Sequence, residues 1–137
     1  MRTLGLRHVA LNVPDPQRTA DFYVRVMGMT VEWQPDADNI YVTTEGFDNL
    51  AIHKEKEPSN GAQRLDHIGF AVPEAADVDA WFVHLNANDV PIVAPPKTHR
   101  DGARSLYCRD PDGVVVQIIH HPPIAARALG LPATGSR

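Results

Sequence analysis

The chain has 137 residues, 43% of them apolar, with 13 Lys and Arg set against 17 Asp and Glu. That is the length of one compact domain, and its acidic balance offers no field to hold DNA, RNA or an anionic membrane. The single cysteine, Cys108, cannot close an internal disulfide, which fits a reducing, cytoplasmic setting. No apolar run reaches the ~18–20 residues that span a bilayer, and the opening Met1-Arg2-Thr3-Leu4-Gly5 runs straight into a strand pattern with no room for a signal peptide. The expected partners are small molecules or copies of the chain itself.

Taken in order, Val9, Leu11 and Val13 alternate with His8, Ala10 and Asn12, the period of a strand with two unlike faces. Asp15-Pro16 then predicts a helix start, a carboxylate cap followed by Pro at the first helical position. Thr19, Phe22, Tyr23 and Val26 form one helical stripe that Gly28 ends. Strands are expected near 30–34, 39–44 and 50–55. The pattern then repeats. Leu65-Asp66-His67-Ile68-Gly69-Phe70-Ala71-Val72-Pro73 reads like Leu6 to Pro14, an offset of 59 residues (His8 to His67). Val78, Trp81, Phe82 and Leu85 supply the second stripe, Asn88-Asp89 ends it, and strands follow near 91–94, 104–109 and 114–120. A later stretch, Asp48 to His53, falls on Asp112 to Gln117 at an offset of 64, which places five extra residues near Pro95-Pro96-Lys97. The expected fold class is α+β, with mainly antiparallel strands in two βαβββ modules, about 4–57 and 64–121, within one domain of residues 1–122. Residues 123–137 read as a Pro-, Ala- and Gly-rich tail, either mobile or packed on a partner copy. Leu131-Pro132-Ala133-Thr134-Gly135 matches a cell-wall sorting pentapeptide by coincidence, with no apolar anchor after it.

Side chains alternate across a strand, so the large apolar residues mark the helix-covered face. His8 and His67 then point to the opposite face, beside Ala10, Gly69 and Ala71. His53 and Gln117 oppose Leu50, Ile52, Val116 and Ile118 in the same way. Four repeat-related donors are thus expected on the open faces, three imidazoles and an amide, a set suited to a divalent metal. His84 reads as a helix-surface residue and His121 as a weak neighbour of the site.

The repeat, the His-x-x-x-x-Val-Pro ends of the leading strands and the Asp110-Pro111-Asp112-Gly113 turn resemble the vicinal oxygen chelate superfamily. This group includes glyoxalase I, methylmalonyl-CoA epimerase, fosfomycin thiol transferases, bleomycin-binding proteins and type I extradiol dioxygenases. The resemblance implies paired βαβββ modules whose curved sheets enclose a cavity, and a homodimer. It also implies a divalent metal, Fe2+ or Mn2+ first, with Zn2+, Ni2+ or Co2+ as alternatives. His8, His67 and Gln117 match the three common ligand positions, and His53 a fourth used in glyoxalases and the epimerase. Gln117 stands where the family normally has Glu. Its neutral amide leaves a bound ion more Lewis acidic and favours an anionic, chelating substrate, or else marks a site that no longer holds metal.

His99, six residues, Leu106-Tyr107, two residues and Asp110-Pro111-Asp112-Gly113 closely resemble the extradiol dioxygenase signature. Lys97 departs from it, standing where a small or apolar residue is usual. The resemblance implies an acid–base role for His99 and a substrate-binding role for Tyr107, acting on a small vicinal-diol or catechol-like substrate. Arg100 and Arg104 are candidates for an anionic substrate group, or else surface charge. Two other readings stay open. One is a glyoxalase-type lyase acting through an enediolate, with Glu45 and Glu55 the nearby carboxylates. The other is a metal-free binding protein for a flat apolar compound, lined by Trp33, Tyr41 and Phe47.

Overall fold

A computed structural model describes residues 8–58, 65, 67–99, 102–128 and 130. The chain divides into two compact units, Met1–Ala62 and Gln63–Arg137. The first contains β1 (His8–Val13), α1 (Pro16–Arg25), β2 (Thr30–Asp36), β3 (Asn39–Thr43) and β4 (Asn49–Lys54). The second contains β5 (Ile68–Ala71), α2 (Ala75–Ala87), β6 (Ile92–Thr98), β7 (Arg104–Arg109), β8 (Val115–His120) and α3 (Pro122–Ala128). Each unit has a four-stranded sheet, ordered β1-β4-β3-β2 and β5-β8-β7-β6. The leading strand pairs parallel with the last one, and the other two pairings are antiparallel. The α+β class and the paired βαβββ modules expected from the repeat are what the structure shows.

In the first unit the Asp15 side chain accepts from Arg18 N at 3.1 Å, so the carboxylate satisfies a main-chain donor that the first helical turn leaves open. Thr19, Phe22 and Tyr23 are buried, on a helix that packs against β3 and β4. Beneath it lie Leu11, Val13, Ile40, Val42, Leu50 and Ile52, all buried. The helix ends near Gly28, whose φ of 76° is open to glycine without the Cβ cost other residues carry. In the second unit α2 packs on β6, β7 and β8 and buries Val78 and Leu85 beside Leu106, Cys108, Val116 and Ile118. Trp81 and Phe82 of the expected stripe are only half-buried. The Asp110 carboxylate accepts from Asp112 N and Val114 N, both at 2.9 Å, so the Asp-Pro-Asp-Gly run builds its own turn into β8.

The C-terminal tail does not begin as irregular chain. Pro122–Ala128 is a helix with Ala125 and Ala126 buried, while the pentapeptide at 131–135 lies outside the described residues. No described helix is long and apolar enough to cross a membrane.

Burial pushes the Cys108 thiol up to about 11, with the nearby Asp110 charge adding to the effect. A folded-state value raised above the unfolded one stabilises fully below the unfolded pKa and is lost as pH rises through the folded one. Stability should therefore decline between pH 9 and 11, and Cys108→Ala should flatten that decline. Denaturant unfolding of both proteins across this range checks it.

Candidate active site

The first sheet's open face is read off its ladder. His8 lies opposite Asn49, Ala10 opposite Ala51, and Asn12 opposite His53. His8 Nδ1 lies 2.7 Å from Asn49 Oδ1, and Asn49 Nδ2 donates to the Glu32 carboxylate. At the other end of the ladder His53 Nδ1 lies 2.7 Å from Asn39 Oδ1, and Asn39 Nδ2 donates to Asp36 Oδ1 at 2.8 Å. Between them Tyr41 stacks on Trp33 with centroids 5.1 Å apart, and meets the His53 ring edge-on at 5.6 Å.

This register corrects the placing of His53. Ala10 and Gly69 are repeat mates, and Gly69 lies opposite Gln117, so the first-unit counterpart of Gln117 is Ala51. The later strands are offset by 66 residues (Ala51 to Gln117), not 64, and His53 corresponds to Ile119. His53 lies four positions along β4 from the partner of His8, about 13 Å at the usual strand rise. The structure therefore does not bring His8 and His53 together as ligands of one ion. Five of the added residues fall where they were expected, beside Pro95-Pro96-Lys97. β2 and β6 align at 61 (Val31 to Ile92, each opposite the equivalent residue of the next strand). Seven residues separate Lys97 from Ser105, where two separate Asp36 from Asn39.

The second unit brings several of its expected residues together. A cavity of about 610 Å³ is lined by Lys97, Thr98, His99, Ala103, Tyr107, Gln117 and Ile119. Gln117, only 8% exposed, donates from Nε2 to Tyr107 Oη at 2.8 Å. The Tyr107 ring meets His67 edge-on, with centroids 5.4 Å apart. A Cβ on Gly69 would lie 3.4 Å from Gln117 Oε1, so glycine keeps the space beside that oxygen clear. His99 enters on the extended β6–β7 connection. Its Nε2 lies 2.8 Å from the buried Ser105 Oγ, and its main chain bonds Ala103 and Gly102.

Charge around the cavity is uneven. Arg104 is committed to Asp79 on α2 through bonds of 2.9 and 2.6 Å, and also donates to Thr98 Oγ1. The guanidinium holds the Asp79 carboxyl below its ordinary range, and the carboxylate raises Arg104 in turn. Arg104 is thus a structural partner of the helix, and Arg100 lies outside the described residues. Among the described lining residues Lys97 is the cation and none is a carboxylate. His84 is an exposed helix residue set edge-on to Trp81. His121 does not line the cavity, and its Nδ1 is buried without a hydrogen-bond partner.

Among the described residues no three His, Cys, Asp or Glu side chains form a ready-made metal cage. The chemistry of the donors present fits a divalent ion in part. His67 and Gln117 Oε1 are the candidates in the second unit and His8 is the candidate in the first, so neither unit alone reaches three donors. Sequence reasoning missed Glu32, Asn49, Asn39 and Asp36. The parity that Asn49 shares with His53 could have found it. Glu32 sits at a bulge between Val31 and Trp33, where strand alternation gives no guide.

Two four-stranded sheets, each with one helix-covered face and one open face bearing imidazole or amide donors, define a paired-module α+β protein. The chain belongs to the Glyoxalase/Bleomycin resistance protein/Dioxygenase superfamily, which residues 5–118 match. It is 26% identical over 111 residues to the metallothiol transferase FosB of Staphylococcus saprophyticus, covering 80% of this chain and 72% of that protein. The fold is similar to that of lactoylglutathione lyase from Agrobacterium tumefaciens, with a TM-score of 0.73 and 22% identity over 88% of this chain and 96% of that one. A glyoxalase/dioxygenase from Nostoc punctiforme is also similar, with a TM-score of 0.73 and 23% identity over 87% and 92%.

Proposed function

We propose that this chain is a metal-dependent enzyme of its superfamily with extradiol-dioxygenase-like activity on a small, anionic, vicinal-diol or catechol-like substrate. The supporting observation is the shared cavity of His99, Tyr107 and Gln117, next to His67. His8, His67 and Gln117 are the proposed donors for the ion, Fe2+ or Mn2+. A bound divalent ion supplies Lewis acidity toward the two vicinal oxygens of the substrate.

The chain's own groups supply the rest. Tyr107 Oη accepts from Gln117 and keeps its own proton to donate to a substrate oxygen. His99 takes a proton from a substrate hydroxyl and returns it. The Ser105 hydroxyl donates to or accepts from Nε2, so it supports the ring in either protonation state. Gln117 brings no charge, which leaves the anionic substrate to supply it, and Lys97 draws that substrate into the cavity. The reading includes a cytoplasmic homodimer.

A second reading, thiol transfer or a glyoxalase-type lyase, is favoured by the likeness to a metallothiol transferase. Elemental analysis of untagged protein, followed by oxygen uptake over a catechol panel, tests the first reading. Thiol loss with small electrophiles and hemithioacetal turnover test the second. Protein without metal that still binds flat aromatic compounds would overturn both in favour of a binding protein.

A further inference from the structure

The first unit carries the same three-residue chain twice, a carboxylate, an asparagine and a histidine. Asn49 joins Glu32 to His8, and Asn39 joins Asp36 to His53. We propose that Asn49 with Glu32, and Asn39 with Asp36, are positioning residues that lock His8 and His53 as Nδ1–H tautomers, each with its Nε2 lone pair available.

The count of donors and acceptors fixes both tautomers. A carboxylate accepts and does not donate, so the amide must turn its NH2 toward it. A flipped amide would set oxygen against oxygen. The carboxylate therefore dictates that the amide oxygen faces the imidazole. That oxygen only accepts, so the nitrogen 2.7 Å away must carry the proton, and in the neutral ring Nε2 is left bare. Asp36 is held in turn, since its Oδ1 also accepts from Asp38 N at 2.8 Å.

The fold itself does not require either chain. By register, Glu32 and Asn49 correspond to Val93 and Val115 in the second unit, while Asp36, Asn39 and His53 correspond to Lys97, Ser105 and Ile119. The same strand scaffold is built there without them. Both chains belong to the open face of the first sheet, and their shared product is an imidazole aimed by one nitrogen and receptive at the other. For His8 that is the state a metal ligand needs. For His53, set apart along the ladder beside Tyr41 and Trp33, it gives a hydrogen-bond acceptor outside the metal donor set. The tautomer assignment is independent of the metal reading, and only the affinity consequence for His8 rests on it.

The test is long-range 1H–15N correlation NMR of the histidine rings in metal-free protein at alkaline pH. His8 and His53 are expected as Nδ1–H forms, against the Nε2–H form that dominates free histidine. Glu32→Gln removes the dictate, because a glutamine amide also donates, and should return His8 alone to a mixture. Asn39→Ala should do so for His53 alone. In Zn2+ chelator competition, Asn49→Ala and Glu32→Gln should weaken binding about 10–100-fold, and Asn39→Ala less than about twofold. Nε2–H at His8 in the unmodified protein would overturn the proposal. Equal affinity in the Asn49 and Asn39 variants would overturn its consequence for the metal. If Asn49→Ala fails to fold by circular dichroism, Glu32→Gln decides. If the unmodified protein binds no Zn2+, the proposed function fails and the ring spectra alone judge this inference.

Discussion

Replacing His67 by alanine is expected to abolish divalent-metal binding while leaving the protein folded. His67 stands just before β5 and shares by alternation the face of Gly69, whose ladder partner is Gln117. Its ring meets Tyr107 edge-on but is only half-buried, so truncation costs about 1 kcal/mol of aromatic contact and opens no cavity in the core. The second unit's core residues, Val78, Leu85, Leu106 and Ile118, lie on the other side of the sheet. Metal affinity should respond very differently. A supporting residue typically costs 10–100-fold, and loss of a ligand should exceed about 100-fold. Gln117 cannot compensate, since its single neutral oxygen is a weaker donor than a carboxylate. Chelator competition and denaturant unfolding on the same preparation check both halves. Full metal occupancy in the variant would refute the site.

His99→Ala should lower kcat by about 10²–10⁴-fold, the range of general acid–base catalysis, with a much smaller change in KM. His99 is anchored by its bond to Ser105 and by its own main chain, yet its side chain is exposed at the cavity rim. Truncation leaves the buried Ser105 hydroxyl without its imidazole, at a stability cost of about 1–3 kcal/mol. Ser105→Ala should give an intermediate loss of kcat, because the ring stays but its orientation is freed. A variant at position 99 that loses only KM would assign His99 to binding. Steady-state kinetics across pH, on whichever substrate the oxygen-uptake panel selects, separates these outcomes.

The elements were legible because each carries a local physical cause. Asp15-Pro16 opened α1 as read, Gly28 and Asn88-Asp89 closed the helices, and alternation set His8, His67 and Gln117 apart from the large apolar residues under the helices. What escaped was position along a strand. A slip of two residues keeps every side chain on its face, so alternation cannot distinguish Ala51 from His53 as the mate of Gln117. Only the hydrogen-bonded ladder decides. The bulge in β2 hid Glu32 for a related reason. The amide partners of the imidazoles were obscured because Asn reads as turn chemistry in a sequence, whereas Asn39 and Asn49 here open strands and bond across them.

The seven residues between Lys97 and Ser105, against two at the matching hairpin of the other module, carry a consequence for how such a protein can change. Length added at a hairpin end disturbs no ladder partner, and its entropic cost grows slowly, about 0.6 kcal/mol per doubling. The segment that delivers His99 is thereby separable from the frame that supports it. On the role proposed for His99, reaction chemistry and foldability can drift independently, the former rewritten in a short exchangeable stretch while the latter is kept by the pairing of the eight described strands.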